Sequence, residues 1–243
     1  MDSRFYDYTD LIIGKYEGGY YHPHMMRDDP ARFPASVYGK SGETMYGIDR
    51  DAGGSINTGA AGREFWGLID AQQASTRWGW NYKPTGELDK RLRRLCAEIM
   101  YGVYSSYVLG RLSDKAKKLV DKSPRLQAHL FYGCWNGIGY LVGFSGVKGF
   151  VTIINEAVAN GTRDLGKLEA IALESRRKHP YSFMRERAKN MEAIYSRLPA
   201  GGGISGWVVA ALIALPLAGL AAWGYSTGRL KGIRLPGLTG KKN

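Results

Sequence analysis

One carboxylic acid stands where chemistry is expected. Glu17 opens the stretch EGGYYH, so an acid is followed at once by two glycines and two tyrosines. A carboxyl held at a helix end against Tyr16, Tyr20 and Tyr21 is partly desolvated, and desolvation raises its pKa toward a value suited to protonating a leaving group. Glu17 is therefore a candidate general acid. Glycosidic cleavage uses, across the sugar, a second carboxylate or an oriented water. Asp28 and Asp29 lie in a loop that could supply the carboxylate, and the Thr44 hydroxyl, in SGETMYGI, could hold the water. Tyr20 and Tyr46 are candidates to stack on sugar faces. Trp78 and Trp80, in WGWNY, fit either a sugar cleft or a core.

The elements that would position these groups are mainly helical. Tyr8, Leu11, Ile12 and Tyr16 fall at helical spacing over residues 7–15, and the glycine pair after Glu17 stops that helix. Residues 20–55 are rich in Pro, Gly, Asp and Ser, with strand-like pieces such as ETMYGI, and read as irregular chain or a small β-hairpin. Further helices are expected over 62–73, 89–109, 124–135, 148–160, 165–178 and 181–197; Leu92, Leu95, Cys96, Ile99 and Val103 form the buried stripe of the second. No internal repeat is visible.

The chain of 243 residues is 44% hydrophobic and carries a formal charge of +12, which suits one globular domain attracted to an anionic partner: nucleic acid, anionic lipid or bacterial cell wall. Specific nucleic-acid binding is not expected, because no helix-turn-helix or zinc pattern accompanies the charge. Two cysteines, Cys96 and Cys134, indicate neither a disulfide framework nor a zinc site. His22 and His24 lack a third ligand, and Gly137 and Gly139 match no phosphate-cradling loop. No metal and no cofactor is implied.

A composition shift comes late. After Gly201-Gly202-Gly203, residues 204–225 carry no charge, and at about 1.5 Å per residue they reach roughly 33 Å, enough for a hydrocarbon core of about 30 Å. Trp207, Trp223 and Tyr225 near its ends fit interfacial positions, and Pro216 is tolerable in lipid. The expected organisation is a domain over 1–198, a glycine linker over 199–203, a transmembrane helix over 204–225 and a basic tail over 226–243. The start, MDSRFYDYTD, does not resemble a signal peptide.

The pattern EGGY, then Asp28-Asp29-Pro30, then Gly42-Glu43-Thr44-Met45-Tyr46-Gly47-Ile48, resembles the amino-terminal signature of glycoside hydrolase family 108, the bacterial and phage N-acetylmuramidases. AEIMYGVYSSYV, HLFYGCWNGIG and FMRERAKNMEAIY resemble later helices of that family, so the similarity runs in order over about residues 5–198. It implies an α+β lysozyme-like fold, mainly α, with Glu17 as the catalytic glutamate, Thr44 as the hairpin threonine, and Tyr107 and Asn136 as substrate-binding residues. The insertion ARFPASVYGKS leaves open which of Asp28 and Asp29 faces substrate, and Val108 stands where the family has tryptophan. The implied function is a membrane-anchored peptidoglycan hydrolase of a phage, in a virion membrane or the host inner membrane, with peptidoglycan, lipid and other virion proteins as partners. The alternative is an inactive lysozyme-fold assembly protein; hydrolysis and transglycosylation, retention and inversion, all fit the sequence.

Overall fold

A computed structural model describes residues 1–22, 42–50 and 59–201. The chain divides into units Met1–Gly202 and Gly203–Asn243. The second unit, with the expected span over 204–225, lies outside the described residues, as do Asp28, Asp29 and His24. Among the described residues no helix is long and apolar enough to cross a membrane.

The protein is mainly helical. Helix α1, Arg4–Lys15, buries Phe5, Tyr8, Ile12 and Ile13 at spacings of three, four and one. Then come α2 (Ala60–Ala71), the short α3 (Ala74–Arg77) and α4 (Gly86–Tyr104). The expected stripe of α4 is buried, Leu92, Leu95, Cys96, Ile99 and Val103 among it. Its last turn departs from the expected helix: Ser105–Leu109 is a π-turn, closed by Gly110 N–H donating to the Ser105 carbonyl at 3.1 Å. Helix α5 (Asp114–Val120) starts at Ser113, whose hydroxyl accepts from the Ala116 N–H.

Helix α6, Pro124–Trp135, has the expected bounds, because Ser123 caps it and Pro124 occupies its first turn. Every residue from Leu126 to Trp135 is buried, and α1, α4 and α5 pack on it, as do α8 (Phe150–Ala159), α9 (Leu165–Arg177) and α10 (Ser182–Tyr195). A helix apolar on every face belongs at the centre of a core. The surrounding elements also include α7 (Ile138–Val142).

Two small β-hairpins complete the described fold. Strands β1 (Thr44–Met45) and β2 (Ile48–Asp49) pair antiparallel, Thr44 against Asp49 and Met45 against Ile48. Their turn residues Tyr46 and Gly47 have φ of 53° and 74°, the two left-handed positions of a type I′ turn. Backbone bridges from Tyr21 to Thr44 and from Tyr20 to Tyr82 tie this hairpin to the segment after α1 and to the loop after α3. Strands β3 (Gly143–Phe144) and β4 (Val147–Lys148) form the second hairpin. Cys96 and Cys134 are buried free thiols.

Candidate active site

Helix α1 delivers Glu17. The Glu17 N–H donates to the Ile12 carbonyl at 3.1 Å, which closes the helix and turns the chain into Gly18-Gly19. Lys83 finishes that end, its Nζ donating to the carbonyls of Ile13 (3.1 Å) and Glu17 (2.9 Å). A cation is well placed there, since the last carbonyls of a helix are unpaired and carry partial negative charge.

The Glu17 side chain keeps a partly exposed edge, while Oε1 is shut off from solvent with no hydrogen-bond partner among the described residues. Burial pushes its pKa from the ordinary 4.5 to about 7, and the nearby cations Arg187 and Lys83 restrain that rise. The carboxyl lines a groove of about 360 Å³ together with residues 18–21, Thr44 and Gly47 of the first hairpin, and Trp80 and Asn81. Among those described residues Glu17 is the one acid.

Close backbone approach builds the groove. A Cβ on Gly47 would lie 2.7 Å from Glu17 Oε2 and 2.7 Å from Trp135 Cδ1, so glycine is required by space as well as by φ. The hairpin tip is held by Trp135, whose Nε1–H donates to the Tyr46 carbonyl at 2.9 Å. On the other side Asn81 Oδ1 accepts from the Gly19 N–H at 2.7 Å, and a Cβ on Gly19 would lie 2.3 Å from the Tyr82 carbonyl.

Of the residues singled out from sequence, Glu17, Tyr20, Thr44 and Trp80 line this groove. Trp80 is 45% exposed and offers a ring to it. Tyr20 and Tyr46 are placed differently from the stacking role expected of them: both rings are fully buried. The Tyr20 hydroxyl donates to Glu43, and that of Tyr46 to Asp89 with Arg93 over the ring. They hold the groove's frame. Trp78 packs edge-on against Tyr20 at 5.3 Å and tilted against Tyr82 at 4.9 Å, outside the groove lining. Tyr107 sits on the π-turn under the Arg111 guanidinium. Asn136 ends α6, and its Oδ1 accepts from the fully buried Arg176 at 2.6 Å.

The groups that sequence reading missed are Lys83, Arg187, Trp135 and Gly47. Of these Gly47 alone stood within a motif that drew attention, Gly42 to Ile48, and there without a role of its own. Among the described residues no three His, Cys, Asp or Glu side chains gather as a metal site. No family model matches the chain, and comparisons with curated proteins and with solved structures return no match either.

A carboxyl protonated near neutrality, beside an open trench with an aromatic wall and a hydroxyl-bearing hairpin, can donate a proton to a departing oxygen. Arg187 and Lys83 can then stabilise the carboxylate that forms.

Proposed function

We propose that the protein is a lysozyme-like peptidoglycan hydrolase, an N-acetylmuramidase similar to glycoside hydrolase family 108, in which Glu17 protonates the glycosidic oxygen. The observation that carries this reading is the Glu17 carboxyl, raised to about 7 by burial yet lining an open groove beside Thr44 and Trp80. Thr44 orients the attacking water, with Asp28 or Asp29 as the second carboxylate. The uncharged stretch 204–225 supports membrane anchorage, and a muramidase with such an anchor fits a phage virion component.

The test is clearing of a peptidoglycan suspension by the full chain and by Glu17→Gln. Clearing by the wild type and a loss of about a thousandfold in the variant, the scale on which removal of an essential proton donor acts, is expected. Equal clearing by both, or by neither, overturns the mechanism. Absence of the protein from purified phage particles overturns the virion assignment.

A further inference from the structure

Exposed large apolar side chains are few among the described residues: Met1, Trp80, Tyr82, Tyr181 and Phe183. Trp80 lines the groove and Tyr82 follows it in the same loop, whereas Tyr181 (41% exposed) and Phe183 (38%) belong to a second aromatic surface at the start of α10. There Phe144 of the second hairpin stacks on Tyr181, with centroids 5.6 Å apart and planes 13° apart. Tyr140 stands edge-on to both Phe144 (5.1 Å) and Phe183 (5.2 Å). Burial does not account for rings left this open, and clustered exposed aromatics mark binding surfaces.

The surface is built rigidly. A Cβ on Gly139 would lie 2.8 Å from the Phe144 ring, and one on Gly149 would lie 2.3 Å from the Gly143 nitrogen, so the second hairpin is pressed onto its neighbours. The loop bearing Tyr181 is braced by Arg185, whose Nη1 donates to the carbonyls of His179 and Pro180 at 2.7 Å each. Rings fixed in advance lose little entropy on binding.

Arg187 joins this surface to Glu17. Its guanidinium lies 5.8 Å from the Phe183 ring centroid, it is the leading cation acting on the Glu17 carboxyl, and it forms no salt bridge among the described residues. An aromatic platform next to an arginine that forms no salt bridge matches a polymer of sugars bearing acidic peptides. Sugar C–H faces cover the rings and a peptide carboxylate takes the guanidinium.

We propose that Tyr140, Phe144, Tyr181 and Phe183 form a glycan-binding platform beyond the cleavage groove, with Arg187 receiving a stem-peptide carboxylate of the same peptidoglycan strand. The proposal rests on the peptidoglycan reading above and adds to it a second contact region on the polymer.

The test uses the full chain in detergent, with Glu17→Gln as the parent so that bound polymer is not degraded. Co-sedimentation with insoluble peptidoglycan sacculi is measured for the parent, for Tyr181→Ser/Phe183→Ser, for Tyr181→Phe and for Arg187→Gln. A loss of tenfold or more in affinity is expected for the double variant, near-parent binding for Tyr181→Phe, and a weaker, less salt-dependent interaction for Arg187→Gln. In the active background the double variant raises KM for sacculi while kcat stays unchanged. The proposal is overturned if the double variant binds sacculi within twofold of the parent, or if its loss is confined to vesicles of anionic lipid, which would assign the platform to a membrane. Either result leaves Glu17-dependent clearing intact; failure of clearing itself removes the underlying reading.

Discussion

Replacing Glu17 by glutamine should make the protein more stable at alkaline pH relative to its effect at acid pH. The folded carboxyl titrates near 7, whereas in the unfolded chain it titrates near the ordinary 4.5. Between those values the folded state still holds a proton that the unfolded state has released, so stability declines as pH rises through this window and levels off above about 7. At about 1.4 kcal/mol per factor of ten, the full effect is about 3 kcal/mol, and about 2 kcal/mol once water in the open groove is allowed for. Glutamine carries none of this cost, because it does not ionise. It brings its own pH-independent difference, an amide N–H₂ beside a site where Oε1 has no partner, so one measurement at one pH is ambiguous. The remedy is a double difference: thermal or urea melts of both proteins at about pH 4 and about pH 8.5, in which constant terms cancel. The expected outcome is a relative gain of about 2 kcal/mol for the variant at the higher pH, or about 4–8 °C in Tm for a domain of this size. A double difference below about 0.5 kcal/mol would mean that the carboxyl is solvated, and the proton-donor argument would go with it.

Four further outcomes follow from the same geometry. Clearing activity of the wild type should fall as pH rises through about 7, because a general acid must be protonated. Lys83→Met, which removes a cation that holds the Glu17 pKa down, should shift that fall to higher pH and cost about 1 kcal/mol for the lost bonds to Ile13 and Glu17; an unmoved pH profile refutes it. Gly47→Ala should lower stability by about 2 kcal/mol through left-handed strain and contact with Glu17 and Trp135, and reduce clearing at least tenfold, whereas activity within twofold of wild type refutes the tight seat. Arg176→Met, which leaves Asn136 Oδ1 without its Arg176 partner and removes a bond to the His129 carbonyl, should cost about 2 kcal/mol in urea melts, and a gain in stability would show that the buried charge outweighs its bonds.

What sequence could reach was local. Helix α6 was legible to the residue because Ser123, Pro124 and an apolar run lie side by side, and α4 because its stripe repeats over many turns. The first hairpin was legible only as a strand-like piece, ETMYGI, in a stretch that read as irregular chain or a small hairpin. The π-turn, the five-residue α7 and the second hairpin were not, because each is shorter than the window in which periodicity registers, and Gly137, Gly139, Gly143, Gly146 and Gly149 read as loop. A turn between two-residue strands likewise does not show where its side chains go, so Tyr46 read as a stacking ring when it is buried and bonded to Asp89. In the candidate site the acid and its glycines were adjacent in sequence and visible. Lys83, Trp135 and Arg187 come from three other elements, and nothing in their own neighbourhoods tells that Glu17 is their common neighbour.

On the proposed mechanism, those remote cations would let a protein this basic use a buried acid. Burial alone would drive the Glu17 pKa higher, and an acid too weak gives up its proton reluctantly. Arg187 and Lys83 pull it back toward neutrality, so the carboxyl starts protonated at working pH and is still acidic enough to donate. Their effect grows during the reaction, because a cation interacts weakly with the neutral acid and strongly with the carboxylate left behind. Stabilisation that appears only as charge develops lowers the barrier rather than the ground state. On the proposed mechanism the same two residues would both set the resting pKa and assist the transfer, which would tie the pH profile and the rate to one piece of geometry. If Lys83→Met moved the pH profile upward without slowing the reaction at acid pH, the cations would be tuning the resting state alone.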